Sequence, residues 1–393
     1  MKVQIGKQFS SFMDFVRGGS AIVVLLVHVY FVFISPHYDR KAVAHIMELS
    51  GSYAVMIFFI ISGFMITSSV LRNIDVNAGR FDGRKYLLDR LVRLYPALLF
   101  SLLLTIGVFY LITGFRLHGS ESFIIDGDFW LIRERVTLEW DRLFISSVYL
   151  QEIVPAWYAP NLNGSLWSLG YEFWFYILAF TFVNGLINKR VVTGWLLSAL
   201  IIFSLILLNN NSFFTYLLIW CAGMFWALLY HRRETWSRDV KPALLILAVF
   251  IVLLLITIGT KNDFSIFLRP KLTVIGRIAQ SLISWLIMLL GLWISLMLDG
   301  RKLKLGSLPY SAKFSYTLYA IHFPLLLLGF SLLHPWLHSL NWKFSMLFGL
   351  LMGLLILLIS ATLARKVENK ELVRKLFRRH RIPGNIKSSP GEG

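Results

Sequence analysis

Apolar positions in this chain run together instead of alternating with polar ones. Ten stretches, at roughly 17–35, 51–71, 94–114, 166–187, 191–208, 213–230, 240–259, 275–298, 314–333 and 341–363, are almost continuously apolar. At 1.5 Å rise per residue, about twenty residues of α-helix match the hydrocarbon thickness of a bilayer. Backbone in hydrocarbon must satisfy its own hydrogen bonds, so each stretch is predicted to be helical. The expected fold is all-α and polytopic, with about ten transmembrane helices. The first stretch is long and is not followed by a small-residue cleavage site, so it reads as a span and not as a signal peptide.

Composition sharpens this picture. Of 393 residues, 57% are apolar and 15% charged, whereas soluble domains are about a quarter charged. Cys221 is the only cysteine, which excludes an internal disulfide and a cysteine metal cluster. The net charge of +18 raises nucleic acid as a partner, but its distribution argues otherwise. Most Lys and Arg fall at the amino end, in the loops around 72–93, 189–190, 232–241 and 301–313, and after Arg365. All of these belong to one side of a ten-span chain, so the excess is a topology signal that places both termini in the cytoplasm. The chain divides into a transmembrane domain, 1–363, and a basic tail, 364–393, amphipathic at first and then disordered. The loop at about 115–165, carrying Trp130, Trp140, Trp157 and Tyr158, is long enough to be a lid or a substrate platform.

Ionisable groups inside a bilayer are costly and mark function by default. Arg17 and His28 are eleven residues apart on the first helix, about three full turns, so they share a face with His28 roughly 16 Å deeper. Asp14 is placed to pair with Arg17. Glu172 follows Asn161 and Asn163, which can cap its helix from the far side, and is expected at a depth comparable with His28. Paired there, it would orient the imidazole; the bland alternative is a structural clasp between helices. Arg90 and Arg93 share a helix face at the inner membrane mouth, suited to phosphate or to plain anchoring. Tyr316, Tyr319 and His322 form a polar seam on a late helix. His334 and His338 are four apart, but Pro335 lies between them and no carboxylate is near, so no metal site is expected.

Taken together, five strings resemble the acyltransferase-3 family of integral membrane acyltransferases: Asp14-x-x-Arg17-Gly18 with His28; Phe58-Phe59-Ile60-Ile61-Ser62-Gly63-Phe64; Arg90-Leu91-Val92-Arg93-Leu94-Tyr95-Pro96; Trp167-Ser168-Leu169-x-x-Glu172 with Phe175-Tyr176; and Ser315-Tyr316 with Tyr319 and His322. Where family members often carry two adjacent glutamates, this chain has Glu172-Phe173. Some members continue into an extracytoplasmic hydrolase-like domain; this chain ends in its tail, so it is expected to deliver acyl groups itself or to a separate partner.

The resemblance implies a multi-pass protein of the bacterial inner membrane. It would move an acyl group, with acetyl the expected one, from cytoplasmic acetyl-CoA or another acyl-CoA to a hydroxyl of a cell-surface or lipid-linked glycan such as an O-antigen or exopolysaccharide. Acyl-CoA is a co-substrate, and no permanently bound cofactor is implied. On this reading Arg17, Arg90 and Arg93 hold the phosphates. His28 acts as general base or acyl carrier, with Glu172 behind it. Asn163, Ser168, Tyr171, Tyr319 and His322 are the candidate oxyanion donors or substrate contacts. A transporter or flippase for an anionic or glycolipid substrate is the competing class.

Overall fold

The computed structural model describes residues 5–37, 41–120, 136–233, 240–262, 274–298, 308–337 and 341–368. Every regular element among them is helical. In chain order these are α1 (Lys7–Val29, prolonged by a wider π turn to Ile34), α2 (Lys41–Val76), α3 (Gly83–Gly114), the short α4 (Trp140–Ser147), α5 (Trp167–Leu186), α6 (Leu197–Leu207), α7 (Asn211–His231), α8 (Val240–Asn262), α9 (Val274–Leu298), α10 (Ser315–Leu337) and α11 (Trp342–Val367).

Eight helices among the described residues are long and apolar enough to cross a membrane. The two remaining expected spans appear as shorter apolar helices, Val191–Leu207 and Ala243–Thr257. At 1.5 Å per residue the seventeen residues of Val191–Leu207 cover about 25 Å, less than a straight span needs, whereas α8 over Val240–Asn262 has 23 residues, about 34 Å and enough to cross. The polarity is inverted relative to a soluble bundle: Leu347, Leu351, Leu354 and Leu358 point outward on α11, while Ser101, Thr105, Thr181, Ser284 and Ser345 are fully enclosed. A helix presents leucine outward when its solvent is lipid.

α1 packs among α2, α10 and the 3-10 turn Leu308–Lys313, and α2 crosses α7. That crossing is close. A Cβ on Gly63 would lie 2.1 Å from the Trp220 carbonyl oxygen, and one on Gly223 would lie 1.8 Å from that of Ile60. Only glycine lets these backbones meet. Gly18 does the same for α1: a Cβ there would strike Ser311 Oγ at 1.8 Å. α11 runs through the expected boundary at 363 to Val367. Residues 369–393 of the tail, Trp130 and His338 lie outside the described residues.

Candidate active site

The sequence-predicted residues gather into two places, linked through α10. The first is a narrow chamber of about 60 Å3, partly open to the outside, bounded by α1, α2, α3, α5 and α10. Arg17, Arg90 and Arg93 all line it, together with Glu172, Ser168 and Tyr319. Local structure explains how the arginines are presented. Arg17 Nη2 donates to Asp14 Oδ1 at 3.2 Å and to the Ala312 carbonyl at 3.1 Å, the latter reachable because Gly18 admits the 308–313 turn. Arg90 Nη2 donates to Ser69 Oγ at 2.9 Å, with its guanidinium 5.5 Å from the Tyr86 ring. Among the described residues no hydrogen bond to Arg93 is seen; it lines the chamber in the field of Glu172 and Glu368. Three cations against one carboxylate make this a chamber for anions.

Glu172 is not where residue counting put it. Its carboxylate accepts from the Tyr176 hydroxyl, one turn on, and from Ser62 Oγ of α2 at 3.2 Å; it makes no contact with His28. The cause lies at the start of its helix. Residues Asn161–Leu166 form a 3-10 turn broken by non-helical dihedrals at Asn163 (φ −145°, ψ 52°), and Leu162, Asn163 and Leu166 are already buried there. α5 proper therefore begins inside the protein and carries Glu172 past His28 toward the arginines. Ser168 meets Tyr319, while Glu172 is four residues further along α5 and His322 three residues the opposite way along α10, so about 10 Å separate Glu172 from the histidines.

The second place is a histidine pair. His28 Nδ1 lies 2.8 Å from the Val24 carbonyl and 3.2 Å from His322 Nε2. His322 Nδ1 lies 2.9 Å from the Tyr319 carbonyl and 3.1 Å from that of Leu318. Carbonyls only accept, so they assign the tautomers: both Nδ1 atoms carry hydrogen. His322 Nε2 then has a lone pair facing the His28 Nδ1–H, and His28 Nε2 is left as an unprotonated nitrogen with no hydrogen bond among the described residues. His28 is partly exposed and His322 buried. Phe323 packs edge-on against the His28 ring at 5.3 Å.

The five candidate donors separate cleanly. Pro324 lacks the N–H that would bond Ala320, and Asn163 Nδ2 donates to that orphaned carbonyl at 3.0 Å and to Thr105 Oγ1 at 3.3 Å. Asn163 thus mends α10 and is not free for substrate. Tyr171 stacks on Tyr216 and meets Phe213 edge-on, both on α7, and meets Trp167 of its own helix edge-on; it does not line the chamber. The Nδ1–H of His322 is engaged by backbone. Ser168 and Tyr319 alone of the five line the chamber, bonded to each other at 2.7 Å. Reasoning from sequence gave no role to Ser62 or Tyr176, both chamber-lining; of the polar seam, Tyr316 and Tyr319 line the chamber and His322 does not. Tyr176 stands four residues from Glu172, a spacing that signals its contact; nothing in the sequence links Ser62 to α5. Among the described residues no cluster could hold a metal ion.

A bundle of membrane-length helices around a cation-lined chamber defines a polytopic integral membrane protein. Residues 10–365 match the family described as an acyltransferase domain, and the chain belongs to this acyltransferase-3 family of transferases. An O-acetyl transferase from Shigella phage Sf6 is similar, 28% identical over 206 residues. That match covers 52% of this chain and 54% of the phage protein, so the chain spans about half the length of this relative. No solved structure matches.

Proposed function

We propose that this protein is an O-acyltransferase of a bacterial inner membrane that takes an acyl group from cytoplasmic acyl-CoA and passes it to a hydroxyl of a cell-surface or lipid-linked glycan. The observation that carries this reading is the pairing of a chamber lined by Arg17, Arg90 and Arg93 with a histidine whose Nε2 is a lone-pair nitrogen, the ring being held by its other edge. The arginines hold the nucleotide phosphates by charge-assisted hydrogen bonds. The thioester arm extends along α10 toward His28. His28 Nε2 takes the proton of the acceptor hydroxyl as the new C–O bond forms. The C–S bond then breaks, and the imidazolium returns the proton to the departing thiolate, so the base is regenerated. While His28 is charged, its Nδ1–H bonds to Val24 and His322 strengthen. His322 therefore fills the place behind the base that sequence reasoning gave to Glu172.

The test is the purified full-length protein in lipid vesicles with acetyl-CoA and the glycan fraction of the producing cell. The expected result is release of free coenzyme A together with a glycan mass increase of one acetyl group. His28→Gln should lower both by 100-fold or more, in line with the ~10²–10⁴ contributed by a positioned base. A His28→Gln protein that acylates glycan like wild type ends the mechanism. Wild-type protein that consumes no acyl-CoA while moving a glycolipid between leaflets establishes the transporter class instead.

A further inference from the structure

The chamber and the histidine pair are adjacent but not continuous. His28 is absent from the chamber lining, which ends at Ser168, Tyr319 and Phe58. Tyr319 stands at the join. Its hydroxyl is bonded to Ser168 Oγ at 2.7 Å, its ring is met edge-on by Phe58 at 5.9 Å, and its other side faces the His322 ring at 5.9 Å. The backbone there is fixed: Ser165 Oγ reaches the Tyr319 carbonyl at 3.5 Å and Asn163 holds that of Ala320. With the backbone held there, rotation of the Tyr319 side chain is the simplest way to open the join. The latch is one hydroxyl–hydroxyl bond, which thermal motion breaks readily, whereas Phe58 limits how far the ring can swing.

We infer that Tyr319 is the specificity-determining residue for the acyl group. Its ring, latched to Ser168, is a narrow door between the arginine chamber and His28, and it admits short acyl groups such as acetyl and excludes longer ones. The inference rests on the acyl-CoA reading above. It differs from an oxyanion role in that the ring, not the hydroxyl, does the selecting. Loss of the hydroxyl alone should leave acyl preference nearly intact, while loss of the ring should relax it.

The experiment compares acetyl-CoA with butyryl-CoA in the full-length protein, reading kcat/KM from released coenzyme A. Tyr319→Ala is expected to raise the butyryl-to-acetyl ratio at least ~10-fold, the scale on which an apolar site discriminates by one or two methylenes. Tyr319→Phe and Ser168→Ala, which keep the ring, are expected to change it less than about threefold. A wild-type ratio in an active Tyr319→Ala protein overturns the proposal. If that variant turns over neither donor, the rate of His28 carbethoxylation by diethyl pyrocarbonate, read by peptide mass spectrometry, decides. A faster rate than wild type in folded Tyr319→Ala protein supports the door, and an unchanged rate overturns it. This second measurement needs no donor, so it separates failure of the door from failure of the acyl-CoA reading.

Discussion

The arginine chamber and the histidine pair are built by opposite means, although α1 and α10 run through both. The chamber's functional groups are long side chains aimed into open space. Arg17 and Arg90 are each steadied by one or two hydrogen bonds, and among the described residues none is seen to Arg93. The histidines are fixed by backbone, with carbonyls three and four residues back setting each ring's tautomer and plane. A site that binds a multivalent anion tolerates mobile cations, because charge acts over several ångströms. A site that moves a proton needs a nitrogen in one tautomer and one orientation. The difference points to a division of labour, with affinity at one end and chemistry at the other.

A crossed pair of substitutions tests that division most strongly. His322→Phe keeps a ring but removes the lone pair that faces His28 Nδ1–H. A hydrogen bond to a charged group contributes about 1.5–3 kcal/mol, so kcat should fall by roughly 10- to 100-fold with the KM for acetyl-CoA unchanged. Arg93→Ala should do the reverse, raising that KM by ~10-fold or more with a milder loss at saturation. Steady-state kinetics on the two variants checks both. If His322→Phe moves KM and Arg93→Ala moves kcat, the two regions do not divide the work as the geometry indicates.

Glu172 is the next discriminator and the smaller effect. Behind His28, as the sequence alone implied, its loss would cost as much as loss of the base. Among the arginines, bonded to Tyr176 and Ser62, it is a single negative charge in a chamber for anions. Glu172→Gln keeps the hydrogen-bonding shape and removes the charge. We expect kcat to fall less than 10-fold and CoA to bind a few-fold more tightly, as read by competition with labelled acetyl-CoA. A 1000-fold fall in kcat would return Glu172 to the histidine.

What the sequence made legible follows from period and charge. Membrane-length apolar runs mark helices whatever their partners, and the face shared by Arg17 and His28 needs only 3.6 residues per turn. The grouping of Arg17, Arg90 and Arg93 was visible because all three sit at the basic ends of spans. Depth across helices was not legible. Whether Glu172 meets His28 depends on the register of α5 against α1 and α10, and that register is set by the irregular turn at Asn161–Leu166, the Ser168–Tyr319 bond and the Ser62–Glu172 bond. None of these leaves a periodic trace. Asn163 illustrates the same limit: it looks like a helix cap or an oxyanion donor until Pro324, 161 positions away in the chain, is seen to leave a carbonyl that needs it.

The smallest expected effect lies at the chamber's edge, where Glu368 follows α11. Its carboxylate accepts from Thr317 N at 3.0 Å and Thr317 Oγ1 at 2.6 Å, capping the first turn of α10. Burial pushes its carboxyl above the ordinary value, against the lowering effect of the Thr317 bonds and of Arg93 and Arg17. The folded state therefore binds a proton more tightly than the unfolded state does. Stability from this group is fully present below the unfolded carboxyl pKa of about 4.3 and is lost as pH rises through the folded value. Glu368→Gln retains an acceptor for both Thr317 donors and cannot ionise. The thermal midpoint of the variant in detergent should accordingly match wild type near pH 4. Near pH 7 it should equal or exceed wild type by a degree or two, even though a carboxylate close to two arginines has been removed. A variant that melts several degrees lower at pH 7 would mean that the field of Arg17 and Arg93 outweighs desolvation, and that the chamber's positive charge extends to the end of α11.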